Sequence, residues 1–184
     1  MSSVESLAAQ LLIATPSLQD PNFLRTVVLI AAHSEEGALG LVLNRPTDTT
    51  VAEAIAELDE IVDGDEPIHH GGPVAPDGVI LLGEFDDPEL VGVVIDGDVG
   101  LPSGDADLDR LAIGVRRARV FAGHAGWGPG QLEAELAEDA WIVEPLGPDD
   151  LFGEPSDGLW ARVLERKGGR YALLARMPLD PSVN

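Results

Sequence analysis

His33 stands beside Glu35 and Glu36 at the end of an apolar run, and a histidine–carboxylate pair is a compact acid–base unit. Asp20, Asn44 and Arg45 fall at the ends of neighbouring apolar runs, where α/β proteins build their sites, so all four could face one cleft. The chemistry would then be acid–base work on a small metabolite. A nucleophile beside His33 is missing: Thr15 and Ser17 are near in sequence, but no G-x-S-x-G elbow occurs. The competing reading is structural, because short polar side chains such as Asp20 and Asn44 bond to turn backbone, and His33 can hold a turn.

A second constellation runs from Gly123 to Gln131. Val120-Phe121-Ala122 reads as the end of a strand and Gln131–Ala137 as a helix with Pro129 near its first turn. Strand, glycine loop and helix N-terminus can together cradle an anion with backbone N–H groups, which would involve Gly123, His124, Gly126, Gly130 and Gln131. The loop lacks the lysine and Ser/Thr of a Walker loop, and its glycine spacing is not that of a dinucleotide fingerprint. Trp127 would either stack on a ligand or plug the core. His69-His70-Gly71-Gly72-Pro73 raises a metal reading. Adjacent histidines on a strand point to opposite faces, however, and no carboxylate is spaced to complete the set, so no metal is expected. Gly71 and Gly72 are better suited to a sharp bend against another strand, and both remain candidates for a binding surface.

Charge narrows the partners. Thirty-three acids against eleven bases give a net charge of −22, which repels nucleic-acid phosphate and anionic membranes and argues against direct DNA binding. Arg110, Arg116, Arg117 and Arg119 form one basic stretch, which either binds an anion or pairs with surrounding carboxylates. With no cysteine, disulfides, thiolate catalysis and cysteine-based metal sites are ruled out. No apolar run is long enough to span a bilayer and no signal peptide is visible, so a cytoplasmic location is expected.

These residues need a scaffold. Leu11–Ala14, Thr26–Ala32, Gly37–Asn44, Val79–Leu82, Val91–Ile95 and Ala140–Val143 read as strands, with Ser34–Gly37 a hairpin turn. Helices are expected over Val51–Leu58, over Asp105–Leu111 with a cap at Ser103 or Asp105, over Pro148–Phe152, and over Gly158–Leu164. Several strands look hairpin-connected and no regular βαβ repeat appears. The expectation is an α+β fold: a mixed, largely hairpin-connected sheet surrounded by helices in a single compact domain over 1–184, with frayed termini at about 1–5 and 179–184.

Three blocks carry a family resemblance: LLIATPSLQDPNFLRTVVLIAAHSEEGALGLVLNRP at 11–46, HGGPV at 70–74, and GHAGWGPGQLE at 123–133 running on to Ala140-Trp141. In this order they resemble the AlgH/YqgE family (UPF0301, DUF179) over about residues 6 to 178. The resemblance implies a cytoplasmic bacterial domain of mixed α/β structure with no assigned activity. One branch is named for regulating alginate production. Family members often carry a tyrosine at the place of His124, and a histidine near the end of the strand that here reads Val79–Gly83; a site model needing that histidine would fail in this chain. The leading expectation is a non-enzymatic binding or regulatory protein acting through a protein partner or a small anionic ligand, without a cofactor. The alternatives are a small-metabolite enzyme using His33 and a transcriptional regulator acting indirectly. A homo-oligomer is compatible with either.

Overall fold

The first hairpin sets the architecture. Val27–Ser34 (β2) and Gly37–Val42 (β3) pair antiparallel through the two-residue turn Glu35-Glu36, with a bulge between Ile30 and Ala32. Every residue from Val27 to Ala31 is buried, as expected for a strand covered on both faces. Gln10–Ala14 (β1) pairs with β2, and Trp141–Pro145 (β10) pairs with the other side of β1. On the far side β3 meets Val115–Trp127 (β9), the longest strand, which pairs next with Val74–Phe85 (β6). Val91–Asp96 (β7) and Val99–Pro102 (β8) form a second hairpin, closing the order β10-β1-β2-β3-β9-β6-β8-β7. Pro46–Thr50 (β4) and Pro67–His70 (β5) pair with each other, and β5 runs parallel to β9. This computed structural model describes residues 5–178, so the expected fraying at 179–184, and at all but the last residue of 1–5, lies outside the described residues.

Among the described residues, five short helices flank the sheet: Val51–Ala54 (α1), Leu108–Gly114 (α2), Gln131–Ala137 (α3), Leu159–Lys167 (α4) and Arg170–Leu174 (α5). One face of the curled sheet packs Leu11, Leu29 and Leu41, with Ile95 and Leu101 from the far end, against Leu159, Trp160, Val163 and Leu164 of α4. The opposite face packs Leu12, Val28 and Ile30 against Trp127, Leu132 and Trp141. The molecule is thus a mixed α+β domain with a mostly antiparallel sheet.

Four local expectations are corrected. The strand expected to end at Ala122 continues to Trp127, because after a left-handed Gly123 (φ 74°) the segment His124-Ala125-Gly126 lies between β3 and β6. The second helix starts at Leu108, not Asp105. Its cap is Asp107, whose carboxylate accepts the N–H groups of Asp109 at 2.8 Å and Arg110 at 3.2 Å, while Ser103 and Asp105 bond to one another. Pro148–Phe152 forms turns, not a helix, with the Asp150 carboxylate accepting from Gly147 N–H at 2.6 Å. The helix expected over Val51–Leu58 breaks at Ile55 into α1 and a single 3-10 turn.

Candidate functional site

Asp20, Asn44 and Arg45 come together at the open end of β2 and β3. The Asp20 carboxylate accepts Asn22 N–H at 2.9 Å, and its backbone carbonyl accepts those of Phe23 and Leu24 at 2.9 and 2.8 Å. Arg45 donates to the carbonyls of Pro21, Asn22 and Leu24 at 2.9, 2.8 and 3.1 Å. Burial lowers the pKa of its guanidinium, and the nearby Asp20 carboxylate partly offsets that. Asn44 is buried; it accepts Val27 N–H at 2.9 Å and donates to the Arg25 carbonyl at 2.9 Å, prolonging the β2–β3 pairing with its side chain. The three form a clamp on the 20–25 loop.

His33 is not part of that cluster. It lies six residues from Val27, about 20 Å along β2. Its Nδ1 accepts Leu7 N–H at 3.0 Å, so the ring proton is on Nε2, which donates to Glu133 at 2.7 Å. The side chain is 2 % exposed and neither ring nitrogen is free for a substrate. Bonding from its own backbone N–H and from His33 lowers the Glu133 pKa. Ala38 pairs with both His33 and Trp127, so the two share a sheet face, and α3 covers it.

The Gly123–Gln131 segment is occupied by its own contacts. Trp127 packs against Phe23 and Trp141 at ring distances of 6.3 and 6.2 Å, and both indole N–H groups donate to one Glu135 oxygen at 3.0 and 2.8 Å. The Gln131 side chain accepts Gly128 N–H at 3.1 Å and donates to Glu135 at 3.1 Å. Gly130 enters α3 in the left-handed region, φ 73°, and α3 is only seven residues long. Gly71, Gly72 and Gly123 mark a backbone crossing. A Cβ on Gly71 would overlap the Gly123 carbonyl, and one on Gly72 would overlap the His124 carbonyl and Ala125 nitrogen. His124 is half-buried opposite Val74, and Gly126 is exposed beside it.

The basic stretch splits. Arg110 pairs with Asp87, Arg116 with Asp86 and Asp98, and Arg117 with Glu84, all at 2.7–2.9 Å and all exposed at the arginine. Arg119 points inward and is 1 % exposed, donating to the Leu151 carbonyl at 3.1 Å and to Glu154. Its Nε is 4.0 Å from Glu66, and neither that nitrogen nor the facing Glu66 oxygen has a hydrogen-bond partner. Beside it His69 is fully buried and shares a 2.7 Å bond with the Ser156 hydroxyl; burial first, and then Arg119, push its pKa down to about 4. Burial pushes that of Glu66 up, against the pull of Arg119.

Sequence reasoning missed a cavity at the edge of the sheet. A groove of about 590 Å³ runs between β10 and α5, lined by Trp141, Ile142, Val143, Tyr171 and Leu174, with Thr15 and Asp139 at one end and Lys167 and Arg170 along its wall. Lys167 pairs with Glu144 at 2.7 Å and lies 4.9 Å from the Tyr171 ring. Arg170 lies 5.0 Å over the same ring and donates to its hydroxyl at 3.1 Å; it makes no ion pair among the described residues. The bond from Arg170, with the Arg170 and Lys167 charges, pulls the Tyr171 phenol below its usual value of 10.0. The only signal available in sequence was rarity, since the groove holds the chain's one lysine and one tyrosine.

Comparison with known proteins gives a consistent picture. A family model described as DUF179, AlgH-like, matches residues 11–172. A UPF0301 protein of Streptomyces coelicolor is 43 % identical over 190 residues, covering 100 % of this chain and 98 % of its own. Another from Thermobifida fusca is 43 % identical over 197 residues, covering 97 % and 96 %. Among solved structures, a Corynebacterium diphtheriae protein superposes with TM-score 0.83 at 28 % identity over 96 % of this chain and 95 % of its own. The solution structure of the AlgH protein from Pseudomonas aeruginosa gives 0.71 at 33 % identity over 97 % of both.

Proposed function

The chain belongs to the AlgH-like family, and we propose that it is a non-enzymatic binding protein whose ligand is held in the groove between β10 and α5. The observation that carries this reading is Arg170: a cation without a carboxylate partner among the described residues, on the wall of this groove, in a chain of net charge −22. Nearly every other described arginine is bonded to a carboxylate or to backbone carbonyls. The fitting ligand carries one anionic group for Arg170 and an apolar body for Trp141, Ile142 and Leu174. In this reading the Asp20–Asn44–Arg45 clamp and the Gly71, Gly72, Gly123, His124, Gly126, Trp127, Gly130, Gln131 segment act by holding the strands that frame the groove. His33 anchors α3, with both ring nitrogens engaged, so no observation favours the catalytic alternative.

The test is a titration with an anionic amphiphile, 8-anilinonaphthalene-1-sulfonate, read by fluorescence transfer from tryptophan. The expected result is saturable binding that weakens about tenfold in Arg170→Ala, the scale of one charge-assisted contact. Equal binding by the variant and the parent would overturn the groove reading.

A further inference from the structure

We infer that the occupant of this groove is an extended peptide segment bearing a carboxylate, which adds to β10 as a further strand. The inference rests on the groove reading and deepens it. Its basis is the phase of the sheet. Thr15 N–H donates to the Ala140 carbonyl at 3.1 Å, and Ala14 N–H donates to the Thr26 carbonyl at 3.0 Å on the opposite side. The odd residues of β1 therefore bond to β10 and the even ones to β2. With Leu11 opposite Glu144 and Ile13 opposite Ile142, the backbone groups of Ile142 and Glu144 face β1. Those of Trp141 and Val143 must then face outward, along the edge that ends the sheet.

No hydrogen bond among the described residues uses those outward groups, and the cavity opens along the same three residues, Trp141, Ile142 and Val143. An unpaired edge flanked by a cavity suits strand addition: main-chain bonds hold the segment, and the side walls choose among sequences. The edge is short. Pro145 lacks an N–H at one end, and Asp139, at φ 56°, turns the chain away at the other. About five residues of peptide fill it. The wall selects for charge. Lys167 is already neutralised by Glu144, so Arg170 is the group left to meet a carboxylate on the incoming strand. Asp139 at the groove end disfavours a second acid there. A second copy of this chain is the weaker occupant, because pairing two copies of charge −22 opposes association.

The experiment pans a phage-displayed library of random octapeptides on the full chain, then titrates the enriched peptides by calorimetry. Val143→Pro removes an outward N–H and exchanges a partly buried side chain, a change tolerated at a sheet edge, and its melting temperature checks that the fold is kept. Arg170→Ala removes the cation. The expected peptides combine β-branched or aromatic residues with one acid, and bind about five- to tenfold more weakly to each variant. Peptides that bind Val143→Pro as tightly as the parent overturn strand addition and leave the groove. No enrichment, with Arg170-dependent binding of the anilinonaphthalene sulfonate intact, overturns the peptide while the groove reading stands. Loss of both removes both. A concentration-dependent dimer that Val143→Pro abolishes would replace the peptide with a second copy.

Discussion

His33 shows how a residue type that suggests chemistry can serve architecture. From sequence its neighbours were Glu35 and Glu36; in the fold its partner is Glu133, one hundred residues away, and its other nitrogen ties down Leu7. Only the pairing of β2 with its neighbours brings those groups together, so no local pattern could have shown it. His33→Ala should cost about 2 kcal/mol, two part-buried hydrogen bonds, in chemical denaturation, and leave groove binding unchanged. A loss of binding with unchanged stability would contradict the anchoring role. His69 makes the second residue-scale prediction. Its folded pKa of about 4 lies below the ordinary 6.5, so the unfolded chain takes up the proton first as the pH falls. The stability associated with neutral His69 is fully present above pH 6.5 and drains away between 6.5 and about 4, by at most about 3 kcal/mol. Glu66, its pKa raised by burial, works in the opposite sense, because protonation relieves its burial cost as the pH falls. Denaturation at a series of pH values should therefore show a slope across this window that flattens in His69→Gln. An unchanged slope in that variant would assign the pH dependence to other groups.

At the level of elements, apolar runs rich in β-branched residues were legible, and β1, β2, β3, β7 and β10 fall where the pattern put them. What misled was small residues. Gly123-His124-Ala125-Gly126 has the composition of a loop, yet it is strand, because Gly71-Gly72, just after β5, pass so close to β9 that side chains there would collide. A glycine needed for backbone approach and a glycine needed for a turn look the same in sequence; only the partner strand separates them. The four-residue β8, and α5 directly after α4, were too short for periodicity to register. The groove follows from that miss, since α5 supplies its wall. The crossing gives a paired prediction. Gly72→Ala, at φ 149° and facing the His124 backbone, should destabilise by about 3 kcal/mol or more. Gly126→Ala, whose nearest neighbour is a Val74 methyl at 3.6 Å, should change stability by less than about 0.5 kcal/mol. Thermal melts of the two side by side decide whether these glycines serve packing or a ligand: equal melting points with a shared binding defect would favour the ligand.

For the whole molecule, the charge of −22 was the plainest fact in the sequence, and the structure shows where its few cations are engaged. Arg110, Arg116 and Arg117 are exposed and paired with exposed or half-buried acids, pairs that contribute little individually. What remains is a large excess of carboxylate whose mutual repulsion opposes the compact state. Salt screens that repulsion, and equally screens the attraction between Arg170 and an anionic ligand. The two effects act on different observables with opposite signs. Raising sodium chloride from 0.05 to 0.5 M should lift the melting temperature by about 3–6 °C, the shift expected for one to two kcal/mol in a domain of this size. The same change should weaken ligand binding in the groove several-fold, while Arg170→Ala, already lacking the charge, keeps a binding constant nearly independent of salt. Melting curves and titrations at the two concentrations test both. If salt strengthened both folding and binding, apolar burial would dominate the groove and Arg170 would not be its recognition group. If salt weakened both, specific ion pairs such as Arg166–Asp150 would outweigh the general repulsion, and the acidic surface would not be destabilising at all.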